Sequence, residues 1–325
     1  RIFMPDELFC GPQDVIAGMS LTYDGQLAFA TERGNLFVIP ADATSESLAD
    51  SSAPVVSVNT NCASAEPSEL EIVSNSIAAD ENGGIYMVTS RAMYRFDWTG
   101  TALSLAWRVP YETEEEPVSP IRLGPGSGST PSLMGTTAQD DRFVVITDGQ
   151  TLMHLVLFWR DEIPEDWTPI APGRDRRIAC EIPVRFGDES ADVSISEQSV
   201  AVRGYRALLV SDLITDPTTV SPGFEAIGQN LLSSLEAGVP EKAPFGLERI
   251  DWDPETRSCK SIWANPEISV PNGIPSLSET TGLVYGIGQR DGQWGLEGLD
   301  FETGESVLWA PGGPGTCNEE LIAPS

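Results

Sequence analysis

Histidine is almost absent from this chain: there is one, His154, in 325 residues. Lysine is nearly as scarce, with only Lys242 and Lys260. One imidazole and no CxxC pair exclude the usual structural zinc sites, which draw four closely spaced Cys and His ligands. No G-x-S-x-G elbow occurs, so the usual serine-hydrolase signature is missing. The Gly-rich GPGSGSTPS stretch lacks the lysine and the strand-turn-helix context of a phosphate loop. The longest apolar run, around 155–158, is the length of a strand. A membrane-spanning helix needs about 20 apolar residues, so no membrane span is expected.

Acidic side chains are abundant. Asp and Glu number 49 against 19 Lys and Arg, a net charge of −30. A field of that sign repels nucleic acid and anionic membranes, which excludes both as partners. It favours cations, basic partners and solubility at high salt. The TEEEP loop at 113–117 reads as a solvated acidic loop. Hydrophobic residues make up 40% of the chain, enough for a core, and 30 Gly with 25 Pro call for many turns.

The five cysteines, Cys10, Cys62, Cys180, Cys259 and Cys317, are widely spaced. In an acidic, Lys-poor chain this spacing reads as disulfides formed in an oxidising compartment. The preferred pairs are Cys10–Cys62 and Cys180–Cys259, although spacing alone does not fix connectivity. Arg1 in the first position fits a removed leader. The expected location is secreted, either extracellular or periplasmic.

One pattern recurs along the chain. MSLTYDGQLAFATERGNLFVI at 19–39 gives a strand, an Asp-containing turn, a strand, a link and a further strand. NSIAADENGGIYMVTSRAMYRFD at 75–97 repeats it, and weaker copies lie at 129–158, 192–202 and 272–309. The period, roughly 50 to 80 residues, suits propeller blades that carry loop insertions. A sandwich lacks such a repeat, and a solenoid repeat is shorter and more regular. The expected fold is all-β: a β-propeller of about six to eight blades, each a four-stranded antiparallel sheet. It forms one domain over 1–325, with insertions near 41–69, 111–128 and 213–244. The one amphipathic helix candidate is 223–237. The eight tryptophans fall mainly at strand ends and read as blade-packing residues.

Several segments resemble secreted bacterial β-propeller proteins with quinoprotein (PQQ) dehydrogenase-like repeats. They are VSNSIAADENGGIYMVTSRAMYRFDW, GSGSTPSLMG, VVITDG, IWANPEI, IPSLSETTGLVY and LDFETGESVLW, which span much of 73–309. The resemblance implies the fold and leaves the chemistry open. The chain departs from the family's pattern in two places. Gly149 follows Asp148 where the family usually has Asn, and Arg203, Gly204 and Tyr205 replace a Glu-Asn-Asn cluster. Quinone-dependent relatives often carry a vicinal disulfide, whereas no two cysteines here are adjacent, so no quinone is expected.

A propeller binds ligands in its central channel, lined by the first strand of each blade. The polar residues expected there are Ser20, Asn75, Ser132, Asp192, Asn272 and Glu319. Of these, Asp192, Asn75, Asn272 and Glu319 form the candidate ligand set for a calcium ion, a hard cation that takes oxygen donors. His154, with Asp148 upstream to orient it, is the candidate general base. Two functions follow. The first is a secreted acidic binding or scaffolding module, placed on the cell surface, whose partner is a protein or a small molecule. The alternative is a calcium-dependent hydrolase of the lactonase or esterase kind, in which the ion polarises the carbonyl.

Overall fold

The computed structural model describes residues 9–11, 14–44, 54–60, 69–114, 126–137, 140–216, 219–221, 235–271 and 274–314. Much of the three expected insertions lies outside these residues. So does the helix expected at 223–237, apart from a helical turn at 235–237.

The described chain is all-β. Twenty strands form five four-stranded antiparallel sheets, each a meander whose strands pair in chain order. The chain falls into two compact units, residues 1–113 and 114–325. The first unit holds β1 (Ile16–Leu21), β2 (Leu27–Thr31), β3 (Asn35–Ile39) and β4 (Val55–Ser57) in one sheet. Its second sheet comprises β5 (Ala78–Ala79), β6 (Gly84–Val88), β7 (Ala92–Trp98) and β8 (Leu103–Pro110). The second unit holds three sheets. The first comprises β9 (Ser132–Met134), β10 (Phe143–Thr147), β11 (His154–Trp159) and β12 (Ile178–Pro183). The next comprises β13 (Ala201–Arg203), β14 (Arg206–Val210), β15 (Leu247–Asp253) and β16 (Ser258–Asn265). The last comprises β17 (Ser276–Ser278), β18 (Leu283–Arg290), β19 (Gln293–Asp300) and β20 (Ser306–Pro314).

Within each unit, successive sheets stack like propeller blades. In the second unit β13 lies beside both β9 and β17 at one edge, while β12 lies beside β16 at the other. In the first unit β1 adjoins β5, and β4 adjoins β8. First strands thus meet at an inner edge and fourth strands at an outer one. The described residues hold five such blades, where about six to eight are expected from the sequence.

The middle strands of a blade are covered on both faces, so they read as continuous apolar runs. FVVIT in β10 is buried throughout, as is HLVLFW in β11 beyond His154. Fourth strands cover the core with one face only, and SCKSIWAN in β16 is correspondingly polar and half-exposed.

Tryptophans join neighbouring blades by a repeated device. Trp98, at the end of β7, donates its indole N–H to Asp24 in the β1–β2 turn of the preceding blade at 2.9 Å. Trp252, near the end of β15, donates to Asp141 just before β10 of its preceding blade at 3.0 Å. The Trp252 ring packs 4.8 Å from Phe143 and 5.9 Å from Trp159. Each indole therefore fills the gap between two sheets and also satisfies its one donor.

The second unit carries the expected disulfide, Cys180–Cys259, with a Cα separation of 6.0 Å. It joins β12 to β16, the fourth strands of adjacent blades. Cys10 is buried and also disulfide-bonded. Its expected partner, Cys62, lies outside the described residues.

Candidate functional site

In three of the five described blades a side chain accepts the first N–H of the third strand. In the first unit a threonine does so. Thr31 Oγ1 accepts from the Asn35 amide at 3.2 Å, and Thr89 Oγ1 from the Ala92 amide at 3.1 Å. Asp148 holds this position in the first blade of the second unit. Its Oδ1 accepts from the His154 amide at 2.9 Å, and its own amide donates to the His154 carbonyl. A hydroxyl suffices for this turn, so the carboxylate brings an additional oxygen. That atom, Oδ2, accepts from Gln150 Nε2 at 2.6 Å and lies 3.2 Å from His154 Nδ1. Asp148 is fully buried. Gln150 Nε2 also lies 3.0 Å from His154 Nδ1, so that nitrogen faces both the carboxylate and the amide and the ring is held in place.

His154 opens β11 opposite Pro183 of β12. Its ring lines a cleft of about 460 Å³ at the outer edge, whose walls come from β12, β16 and the 170–174 turn. Glu181, on β12, lines the same cleft. One donor atom from each of Asp148, His154 and Glu181 falls within 4.8 Å of the others. Arg174 holds the Glu181 carboxylate with both nitrogens of its fork, Nε to Oε2 at 2.7 Å and Nη2 to Oε1 at 2.8 Å. Arg257 also faces the cleft and pairs with Asp166 at 2.8 Å. Cys180 and Cys259 form part of the lining, so the disulfide fixes two walls relative to each other.

His154 and Asp148, expected together, are together. Their cleft faces the fourth strands, whereas a channel site was expected along the first. Of the expected calcium ligands, Asp192 is exposed on a bend of the second unit. Asn75 belongs to the first unit, where it donates to Ser74 Oγ at 3.2 Å. Asn272 and Glu319 lie outside the described residues. Ser20 and Ser132 sit on first strands as expected, and Ser132 donates to the Val200 carbonyl at 2.6 Å. Gln150, Glu181 and Arg174 were not anticipated. The one signal for them was an aspartate where both blades of the first unit place threonine.

A second acidic group lies near the inner edge. Asp212 is buried, and Oδ2 accepts from the Glu197 amide at 2.5 Å. Burial pushes its carboxyl well above the ordinary 3.8; the backbone hydrogen bond from Glu197 opposes this and the Glu197 charge adds to it. The unfolded chain therefore releases this proton at lower pH than the folded chain does. Asp212 costs stability progressively as pH rises above about 3.8. Asp212→Asn is expected to raise the melting temperature at pH 7, with the gain shrinking toward pH 4. Melting curves across that range check this, and a gain that grows in acid would contradict it.

No family model matches the chain. It is 48% identical over 309 residues to an uncharacterised protein of Archaeoglobus fulgidus, a match covering 93% of this chain and 55% of that protein. The chain thus spans about half the length of the curated relative it matches. Among solved structures, it is similar to a periplasmic gluconolactonase of Pseudomonas aeruginosa at 13% identity and a TM-score of 0.49, covering 92% of this chain and 70% of that one. It is also similar to the Swd1 β-propeller domain of Myceliophthora thermophila at 10% identity and a TM-score of 0.46, covering 91% and 73%. Likenesses this remote carry no activity to this chain. No helix among the described residues is long and apolar enough to cross a membrane.

Proposed function

We propose that this chain is a binding module of the β-propeller class in a secreted or cell-surface protein, and that the outer cleft of its second unit is its ligand site. The observation that carries this reading is the preorganised cleft wall. His154 is held by Asp148, Arg174 by Glu181 and Arg257 by Asp166, and a disulfide lies among them. Polar groups fixed before a ligand arrives lose little freedom on binding, which is how a small site gains affinity. The disulfide supports an oxidising location, where such bonds persist. The acidic surface suits a basic or cationic partner.

The oriented imidazole favours a second reading, hydrolysis with His154 as general base. A panel of lactones and esters, assayed with and without added calcium, separates the two. The binding module predicts no turnover above that of His154→Gln. Turnover that falls about 100-fold or more in that variant would establish the hydrolase instead.

A further inference from the structure

Taking the outer cleft as the ligand site, we propose that its ligand is a small organic carboxylate with an apolar body, and that Arg257 receives the carboxylate in exchange for Asp166. The inference rests on that reading of the cleft and adds the chemical class of its ligand.

The first observation is the conformation of Arg257. Residues 253–257 and 300–304 form the same turn in neighbouring blades, linking β15 to β16 and β19 to β20. They read DPETR and DFETG. Asp253 Oδ1 accepts from the Glu255 amide at 2.8 Å and from the Thr256 amide at 3.3 Å. Asp300 Oδ1 accepts from the Glu302 and Thr303 amides at 2.8 and 3.0 Å. Both turns close in the left-handed region, Gly304 at φ 72° and Arg257 at φ 50°. Glycine takes that conformation freely, whereas an L side chain is crowded in it. The turn therefore asks for glycine at 257, and the cleft receives an arginine instead. Strained residues of this kind cluster at ligand clamps.

The second observation is local charge. Acidic residues outnumber basic ones 49 to 19 along the chain. Among the cleft's lining residues the balance reverses, with Arg174, Arg257 and His154 against Glu181. Arg174 takes both oxygens of Glu181, so that pair is neutral and fixed. Arg257 is paired differently. Its partner Asp166 is 73% exposed and is not part of the lining. An ion pair this exposed contributes little, so a ligand carboxylate that also buries apolar surface can replace it. Arg257 already holds one carboxylate, and its hydrogen bond keeps the Asp166 carboxyl below the ordinary 3.8. Ile170, Ala171, Ile182 and the disulfide supply apolar walls for the rest of the ligand. Asp148 and Gln150 face Nδ1 of His154, so Nε2 is the ring nitrogen left to meet a polar group. The acidic surface opposes an anion only at close range, because charges beyond about 10 Å are screened at 0.1 M salt.

The test is titration of the full chain with benzoate, its neutral counterpart benzamide and the cation benzylamine, at fixed ionic strength. His154 is the only histidine, so its ring resonances report on the cleft without ambiguity. Benzoate is expected to shift them saturably and to bind at least about tenfold more tightly than benzamide, since its hydrogen bonds to arginine are charge-assisted. Arg257→Gly should weaken benzoate binding about tenfold or more. It should leave the melting temperature unchanged or higher, because the turn regains its preferred residue. Asp166→Asn should strengthen benzoate binding several-fold by removing the competing carboxylate. A merely structural Arg257–Asp166 pair predicts the opposite pattern, with both variants less stable and neither altering the preference for benzoate. Benzoate affinity unchanged in Arg257→Gly, or weakened in Asp166→Asn, would overturn the proposal. If benzamide or benzylamine moves the His154 signals as strongly as benzoate, the carboxylate inference falls and the cleft reading stands. If none of the three moves them, both fall.

Discussion

Trp252→Ala is expected to destabilise the second unit by about 3–5 kcal/mol, the range for removing a buried large aromatic. Trp252 is 2% exposed, and its ring contacts Phe143, Trp159 and Trp167 across the gap between two blades. Little else can fill that gap, because packed interiors collapse only partly around a deletion. Trp252→Phe separates packing from hydrogen bonding. It keeps most of the ring volume and removes the donor to Asp141, a loss of about 1–3 kcal/mol. Urea unfolding of the three proteins reads both terms. An alanine variant within 1 kcal/mol of the native chain would show that this indole does not join the blades.

Loss of the Cys180–Cys259 bond has an expected effect of similar size. The two cysteines are 79 residues apart, and closing a loop of that length removes about 4–5 kcal/mol of unfolded-state entropy in the chain-entropy model. The Cys180→Ser, Cys259→Ser double variant should therefore unfold at clearly lower denaturant. The effect should extend to function, since the bond fixes the relation of β12 to β16 and both line the cleft. Ligand affinity should fall with stability. A double variant with unchanged midpoint would mean that other β12–β16 contacts already set the cleft.

The blades were legible in the sequence because their middle strands are covered on both faces. GGIYMV, FVVI and LVLF had to be apolar throughout, and turn residues punctuate them. The tryptophans were legible as packing residues, but their partners were not. Asp24 and Asp141 look like ordinary turn aspartates until the next blade docks an indole against them. Asp148 and His154 were found together because the turn that joins them is local. Glu181 and Arg174 were missed because they come from the outer strand and the turn before it, where polar residues are expected for solubility. Only the pairing of His154 with Pro183 brings Glu181 near the imidazole. The side of the blade that carries the site was also illegible. Sequence periodicity says which residues share a face, not which edge of a sheet opens into a cleft.

The most direct test of the central claim is a crystallographic screen of small polar fragments soaked into the native chain. Binding at the outer cleft predicts density clustered against His154, Arg174 and Arg257, with contacts to more than one of them. Fragments gathered elsewhere, with the cleft empty throughout, would contradict it.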